Sequence, residues 1–379
     1  MFTRKKIVFL TSTRADFGKI KSLVKITKNQ KYFDVYVIIT GMHVIPKFGN
    51  TYQEVLKNFG KKNIFIFRNQ KRNSILETIL SNTVNQLNKI IKKIKPDLIV
   101  IHGDRVEALS LALVGSLNHI HTAHVEGGEV SGTIDDTIRH AITKLSHSHF
   151  VGSKIAKKRV LKMGEIKENI YHIGSPDIDI IQNEKLPNID NVKKRYSIKF
   201  NEYSILLWHS VTSELDTLKR DTIKIIRYIN NSKKNFIIIY PNNDPGSNII
   251  LDCYKKISNK NKIIKNMRFE YFLSFLKNAK FIIGNSSSAI YEAPMLNTPA
   301  INIGNRQNKR LKTQLIKNID IEQLNEKLVN NFLNNYKKTN IKKNFFGAGE
   351  SDSNFLKVLK KKSFWNTSKQ KFFSDKSQN

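Results

Sequence analysis

The stretch that decides the fold is residues 96–144, PDLIVIHGDRVEALSLALVGSLNHIHTAHVEGGEVSGTIDDTIRHAITK. An apolar run at 98–101 predicts a buried strand that stops at His102-Gly103-Asp104, and a helical pattern follows. A second apolar run ends in Glu126-Gly127-Gly128, before a loop with Asp135 and Asp136. In open α/β sheets, ligands bind at the carboxyl ends of the strands. The stretch therefore predicts an active site with Asp104 and Glu126 at two neighbouring strand ends.

Upstream of this stretch, the chain begins like a doubly wound sheet. KIVFLT (6–11) predicts a buried strand, and a polar turn and a helix follow it. The free N–H groups of that helix start favour a phosphate, and Arg14 and Lys19 bracket it. The alternative for Arg14 is an exposed turn residue. No GxGxxG is present, which disfavours a nicotinamide dinucleotide fold.

Downstream, the second half repeats the same alternation of strands and helices. YSILLW (203–208) predicts a strand that ends at His209, and KFII (280–283) predicts one that ends in GNSSS (284–288). Gly174-Ser175-Pro176 is typical of a hinge. We therefore predict an α/β fold with two parallel sheets and a cleft between them, divided into domains 1–174 and 175–351.

Two groups of residues in this pattern could carry chemistry. Asp104, Glu126 and Asp135, with His209 from the second half, could act as acids and bases. The rival interpretation is a metal site, but no HExxH or comparable ligand spacing is present, so we predict no metal and no cofactor. The serines of GNSSS could cradle a pyrophosphate, although serine-rich caps also occur without a ligand. Glu292 could bond a ribose or be a surface glutamate.

Composition excludes several classes of protein. The 379 residues carry a formal charge of +34, with 65 Lys and Arg spread along the chain. Because no nucleic-acid-binding motif accompanies the charge, we predict an anionic substrate and no nucleic acid partner. The single cysteine excludes an intrachain disulfide. No signal peptide and no apolar run of roughly 20 residues is visible, so we expect a cytoplasmic protein without a membrane partner.

The motifs together resemble the bacterial hydrolysing UDP-N-acetylglucosamine 2-epimerases of sialic acid biosynthesis. The resemblance covers nearly the whole chain, and its combination of HGDR, EGGE-SGT-DD and GNSS is highly specific. The stretches that carry it are TRADFGK (13–19), GMH (41–43), HGDR (102–105), EGGEVSGTIDDTIRHAITKLSH (126–147), IGSPD (173–177), YPNND (240–244), RFEYF (268–272), GNSS (284–287) and NIGNRQ (302–307).

The resemblance implies the GT-B architecture, with two Rossmann-like domains facing across a cleft. Its last helix returns to the first domain, which accounts for residues 352–379. It also implies a reaction: conversion of UDP-N-acetylglucosamine to N-acetylmannosamine and UDP, the first step of sialic acid synthesis. Relatives are dimers or tetramers, so a homo-oligomer is expected.

The resemblance also implies roles for individual residues. Asp104, Glu126 and Asp135 would be the catalytic carboxylates, and His209 a further active-site residue. The substrate and UDP would be bound by Arg14, Lys19, Arg105, Arg139, Phe272, Ser286, Ser287, Glu292 and Arg306. Two positions depart from the pattern: Ser210 stands where relatives usually have proline, and Gly18 where some have serine.

Alternatives to this function remain open at the level of sequence. The same chemistry could act on a GDP-linked diacetamido sugar. A non-hydrolysing epimerase would rejoin the intermediate to UDP, but the EGGEVSGTIDD motif argues against it. A glycosyltransferase shares the fold but needs an acceptor.

Overall fold

The architecture comes from a computed structural model that describes residues 4–70, 74–183, 185–307, 310, 313–337 and 347–375. Two compact units divide the chain. Unit 1 contains the described residues of Met1–Glu129, Asp135–Asn183 and Asn344–Asn379. Unit 2 contains those of Val130–Ile134 and Glu184–Lys343. Each unit has its own parallel β-sheet.

The sheet of unit 1 has seven parallel strands in the order β3-β2-β1-β4-β5-β6-β7. They are β1 (Lys5–Thr11), β2 (Phe33–Ile39), β3 (Ile64–Ile66), β4 (Leu98–His102), β5 (His121–Val125), β6 (Ser148–Val151) and β7 (Ile170–His172). The central strands are apolar on both faces because helices cover both: Val8 and Phe9 are each fully buried. Since β1 pairs with both β2 and β4, the strand order reverses there. That switch point is where a doubly wound sheet binds its ligand.

The helices of unit 1 alternate with its strands. They are α1 (Arg14–Lys28), α2 (Tyr52–Phe59), α3 (Leu76–Ile94), α4 (Val106–Leu117), α5 (Ile134–Leu145), α6 (Lys154–Lys162) and α7 (Pro176–Asn183). Helix α1 begins at a capping box, in which the Thr13 hydroxyl and the Asp16 carboxylate each accept a backbone N–H of the other residue. Helix α3 buries Ile79, Leu87 and Ile91, whose spacing puts them on one face.

Unit 2 repeats this topology with six parallel strands in the order β10-β9-β8-β11-β12-β13. The strands are β8 (Ser204–Leu207), β9 (Phe236–Ile239), β10 (Lys262–Ile264), β11 (Ile282–Gly284), β12 (Ala300–Ile303) and β13 (Ile316–Ile319). The helices are α8 (Ile189–Tyr196), α9 (Leu215–Asn231), α10 (Ser247–Tyr254), α11 (Phe269–Lys277), α12 (Glu292–Met295) and α13 (Glu326–Asn334). Its switch point lies between β8 and β11. Among the described residues of both units, no helix has the length and apolar character to cross a membrane.

The C-terminal segment packs on unit 1 through α14 (Ser351–Leu359) and α15 (Lys362–Trp365). Phe355 of α14 is fully buried, and its ring lies 4.7 Å from that of Phe150 and 6.3 Å from that of Phe9. Burying a phenylalanine side chain contributes about 1.5–3 kcal/mol. The segment is therefore part of the hydrophobic core of unit 1.

The division into units differs in three places from the predicted domains 1–174 and 175–351. Residues 347–350, predicted to lie in the second domain, belong to unit 1. Helix α7 belongs to unit 1, because Asp179 accepts a backbone N–H bond from Ser351 (3.0 Å) at the start of α14. The segment Val130–Ile134, which ends at the first residue of α5, belongs to unit 2, where the Gly132 N–H donates to the Arg306 carbonyl oxygen (3.1 Å). The differences at α7 and at this segment arise from contacts that are distant in sequence.

Candidate active site

Asp104 sits on a turn that a buried histidine holds in place. The turn follows β4, and Gly103 adopts the left-handed conformation (φ 74°). His124 donates from Nε2 to the Gly103 carbonyl oxygen (2.8 Å), and its Nδ1 accepts from the Thr143 hydroxyl (3.0 Å). Burial lowers the pKa of His124 to about 3, so the ring stays neutral and keeps this tautomer. Asp104 is therefore presented at the strand edge by a fixed turn.

Asp104 pairs with Arg139, a buried residue of α5. The same guanidinium donates from Nη1 to Asp136 Oδ1 (3.0 Å) and to the carbonyl oxygen of Glu129 (3.2 Å). Asp136 thus orients the arginine that holds Asp104. Asp135 precedes Asp136 in the first turn of α5 and is half-buried. The sequence placed both aspartates in a loop before the helix; they are in the helix itself.

Glu126 follows β5 in a backbone conformation that non-glycine residues rarely adopt (φ 65°). Such a residue costs of order 1–3 kcal/mol and is found mainly at functional sites. Its Oε1 accepts from the Ser175 hydroxyl (2.6 Å), and its Oε2 lies 3.1 Å from His102 Nε2. Because an ionised carboxylate only accepts hydrogen bonds, the His102 ring carries its proton at Nε2.

Lys19 lies between two carboxylates. Its Nζ is 3.6 Å from Glu126 Oε2 and 3.2 Å from Asp177 Oδ2. Burial raises the pKa of Glu126, but the Lys19 ammonium and the His102 ring lower it and outweigh burial. The pKa of Glu126 is therefore well below its ordinary value. Glu126 is a carboxylate at neutral pH, able to accept a proton.

The other predicted cationic residues of unit 1 also face carboxylates. Arg14 Nε lies 2.8 Å from Glu54, and Arg105 Nε lies 3.6 Å from Glu107. The N-terminus of α1, predicted to favour a phosphate, is closed by the capping box of Thr13 and Asp16. A guanidinium has five N–H donors in a planar arrangement that suits carboxylate and phosphate oxygens.

In unit 2, His209 lies at the switch point and is bridged to β11. Its backbone N–H donates to Asn285 Oδ1 (2.8 Å), and its carbonyl oxygen accepts from Asn285 Nδ2 (2.8 Å). The Asn242 backbone N–H donates to Nδ1 of the His209 ring (3.1 Å). The neutral ring therefore carries its proton at Nε2.

The predicted phosphate cradle, GNSSS (284–288), is followed by a short turn rather than by a long helix. A 3₁₀ turn, Ser287–Ala289, follows β11, and Ser286 caps it by accepting the Ser288 N–H (3.3 Å). The helix α12 that follows has four residues and starts at Glu292, which is buried rather than a surface residue. The serines are therefore followed by a 3₁₀ turn and a helix of a single turn, which lacks the dipole of a long helix.

Close strand packing explains the glycine that opens the cradle. Gly284 has a φ of 136°, and a Cβ there would lie 1.9 Å from the Leu207 carbonyl oxygen. Any side chain would push β11 away from β8 at the switch point. The glycine of GNSS is thus required by the sheet itself.

Phe272 and Arg306 both lie in unit 2. Phe272 is buried and stacks on Phe269, with ring centroids 6.4 Å apart. Arg306 Nη1 donates to the Asn285 carbonyl oxygen (3.2 Å), which also accepts from Gln307 Nε2 (2.8 Å). Arg306 therefore belongs to the same switch point as His209.

Several residues of these networks are absent from the sequence predictions of the site: His102, Ser175, Asp177 and Asn285. Each lies inside a motif, HGDR, IGSPD or GNSS, that the sequence singled out for its resemblance. The signal that could have identified these residues is that each is a polar side chain inside one of these motifs. Within the described ranges, no three His, Cys, Asp or Glu side chains are grouped as a metal ion requires. The chemistry these carboxylates can perform is proton transfer to and from a bound substrate.

Two doubly wound parallel sheets in one chain, each with polar groups at its switch point, define an α/β enzyme of GT-B architecture. The chain belongs to the UDP-N-acetylglucosamine 2-epimerase family, whose model matches residues 25–360.

Relatives agree with this assignment. The chain is 38% identical to a UDP-N-acetylglucosamine 2-epimerase of Neisseria meningitidis serogroup B, over 98% of this chain and 99% of that protein. It is 35% identical to a hydrolysing GDP/UDP-N,N'-diacetylbacillosamine 2-epimerase of Campylobacter jejuni, over 86% of each. The crystal structure of Methanocaldococcus jannaschii UDP-GlcNAc 2-epimerase with UDP-GlcNAc and UDP has the same fold, with a TM-score of 0.79 at 23% identity. That comparison covers 93% of this chain and 99% of the other.

Proposed function

We propose that this chain is a hydrolysing 2-epimerase that converts UDP-N-acetylglucosamine to N-acetylmannosamine and UDP. The observation that carries the proposal is Glu126, an ionised carboxylate held in a strained backbone conformation among Lys19, His102 and Ser175. The 38% identity to the Neisseria enzyme over nearly the full chain supports the substrate.

The proposed reaction begins with an elimination. The C2 proton of the sugar is weakly acidic, so its removal is coupled to the departure of UDP from C1. A carboxylate takes the proton, and the electron pair of the C2–H bond forms the C1–C2 double bond as the C1–O bond breaks. The products of this step are 2-acetamidoglucal and UDP. Cationic groups stabilise the leaving diphosphate.

The second step is rehydration. Water adds at C1, and a proton returns to C2 on the opposite face, which gives N-acetylmannosamine. Asp104, Glu126 and Asp135 share these transfers. Glu126 enters the reaction as a proton acceptor because its neighbours keep it ionised. Asp104 is held by Arg139, which fixes its direction.

Unit 2 is proposed to bind the nucleotide. Ser286, Ser287 and Arg306 supply donors to the diphosphate, buried Glu292 bonds the ribose, and Phe272 packs on the base. We assign Arg14, Lys19, Arg105 and Arg139 to substrate binding as well. His209 is fixed by Asn285 and Asn242, so that its ring orientation is set before substrate binds.

A second candidate is the same reaction on a GDP- or UDP-linked diacetamido sugar, because the Campylobacter relative carries that name at 35% identity. We also propose that the product is used in sialic acid synthesis for a surface polysaccharide. The protein is proposed to be cytoplasmic and to form a dimer or tetramer.

The products decide between these candidates. Incubation with UDP-N-acetylglucosamine, followed by ³¹P and ¹H NMR, is expected to give free UDP and N-acetylmannosamine in equal amounts. Accumulation of UDP-N-acetylmannosamine would identify a non-hydrolysing epimerase. Turnover of a GDP- or UDP-linked diacetamido sugar, with none of UDP-N-acetylglucosamine, would favour the second candidate.

A further inference from the structure

The hydroxyl of Ser175 lies between two carboxylates that share one lysine. It contacts Glu126 Oε1 (2.6 Å) and Asp177 Oδ1, while Lys19 lies 3.6 Å from Glu126 and 3.2 Å from Asp177. Ser175 and Asp177 are buried, with 6% and 1% of their surfaces exposed. In the sequence, Gly174-Ser175-Pro176 is typical of a hinge and IGSPD (173–177) is one of the motifs that carry the resemblance, and neither gives Ser175 a role.

One hydroxyl has one proton, so Ser175 donates to one carboxylate at a time. A hydrogen bond to the ionised form of a carboxyl group stabilises that form, and a second negative charge nearby destabilises it. Ser175 and Asp177 therefore act on Glu126 in opposite directions. The titratable groups that face Glu126 are Lys19 from α1, His102 from β4 and, through Ser175, Asp177 from α7.

We propose that Ser175 is a positioning residue of the reaction, whose hydroxyl holds the Glu126 carboxylate in place and stabilises its ionised form. Asp177 is the competing acceptor of that hydroxyl and limits how strongly Glu126 is stabilised. This inference rests on the proposed function in one respect, that Glu126 accepts a proton during turnover.

The test is the pH dependence of kcat/KM in two variants. In Ser175→Ala, the acidic limb moves to higher pH by about one unit, because Glu126 loses a hydrogen bond to its ionised form. In Asp177→Asn, the acidic limb moves to lower pH. Glu126 then has no like charge nearby, and the Ser175 hydroxyl donates to Glu126 without a competing carboxylate. Ser175→Thr, which keeps the hydroxyl, restores the wild-type limb. An unmoved limb in Ser175→Ala, or a shift of both variants in one direction, overturns the proposal.

Ser351→Ala is the matched control. Ser351 is also buried in unit 1, with 1% of its surface exposed, and its hydroxyl donates to Asp179 Oδ2 (2.5 Å), a carboxylate on the same helix as Asp177. The Ser351→Ala variant loses the same kind of hydrogen bond, and its thermal unfolding measures how much stability that loss costs. Its acidic limb stays at the wild-type position, so a shift of the limb separates positioning from destabilisation.

A substrate-free measurement separates this inference from the proposed function. If the wild-type chain does not convert UDP-N-acetylglucosamine, the proposed function fails. The carboxyl resonance of Glu126 in ¹³C-glutamate-labelled protein, assigned by its loss in Glu126→Gln, then tests the inference alone. Ser175→Ala is expected to raise the pH at which this resonance titrates, and an unchanged titration overturns the proposal.

Discussion

Replacing Glu126 by glutamine is expected to lower kcat by roughly 10²–10⁴-fold, the range for a general acid–base group. The amide cannot take up a proton at the position where Lys19, His102 and Ser175 hold the carboxylate. UDP release in a coupled assay measures the loss. Asp104→Asn and Asp135→Asn are expected to lose activity within the same range.

Glu168→Gln is the control for this experiment, since Glu168 is an exposed residue of the same unit. It is expected to turn over like the wild type. If all three amide variants at Asp104, Glu126 and Asp135 kept normal turnover, the assignment of the catalytic carboxylates would be wrong.

The largest expected effect on stability is that of Phe355→Ala, a loss of about 3–5 kcal/mol in the free energy of unfolding of unit 1. Phe355 is fully buried, and its ring packs between Phe9 of β1 and Phe150 of β6. Its removal leaves a cavity beneath the returning helix α14. Urea unfolding in a Trp208→Phe background measures the loss, because Trp365 then reports unit 1 alone.

Phe372→Ala provides the comparison, since that ring is 63% exposed in the same C-terminal segment. It is expected to change the free energy of unfolding by no more than about 0.5 kcal/mol. If Phe355→Ala lowered the free energy of unfolding as little as Phe372→Ala, Phe355 would not contribute to the core of unit 1.

The fold class could be predicted from apolar runs that stop at polar turns. KIVFLT and YSILLW are long and apolar enough to be recognised as strands, and the strands they form, β1 and β8, lie at the switch points of their sheets. The edge strands β10 (KII) and β13 (IKNI) are hard to recognise from sequence, because both are short and β13 exposes two polar residues. An edge strand is buried on fewer sides, so its sequence carries a weaker signal.

The sequence indicates which residues are candidates for the site but not which contacts those residues make. The strand-end rule and the motifs led to Asp104, Glu126 and His209. The partners of these residues could not be found this way, because Ser175 and Arg139 lie far along the chain from Glu126 and Asp104. Periodicity describes local structure, whereas these hydrogen bonds depend on how the chain returns to the sheet edge.

The central claim is that the C2 proton is removed and replaced, and solvent deuterium tests it most directly. The reaction with UDP-N-acetylglucosamine is run in D₂O, and the product is analysed by NMR at C2. We predict N-acetylmannosamine with deuterium at C2, because the removed proton passes to a carboxylate and the one that returns comes from solvent. Product with its original proton at C2 would contradict the elimination route.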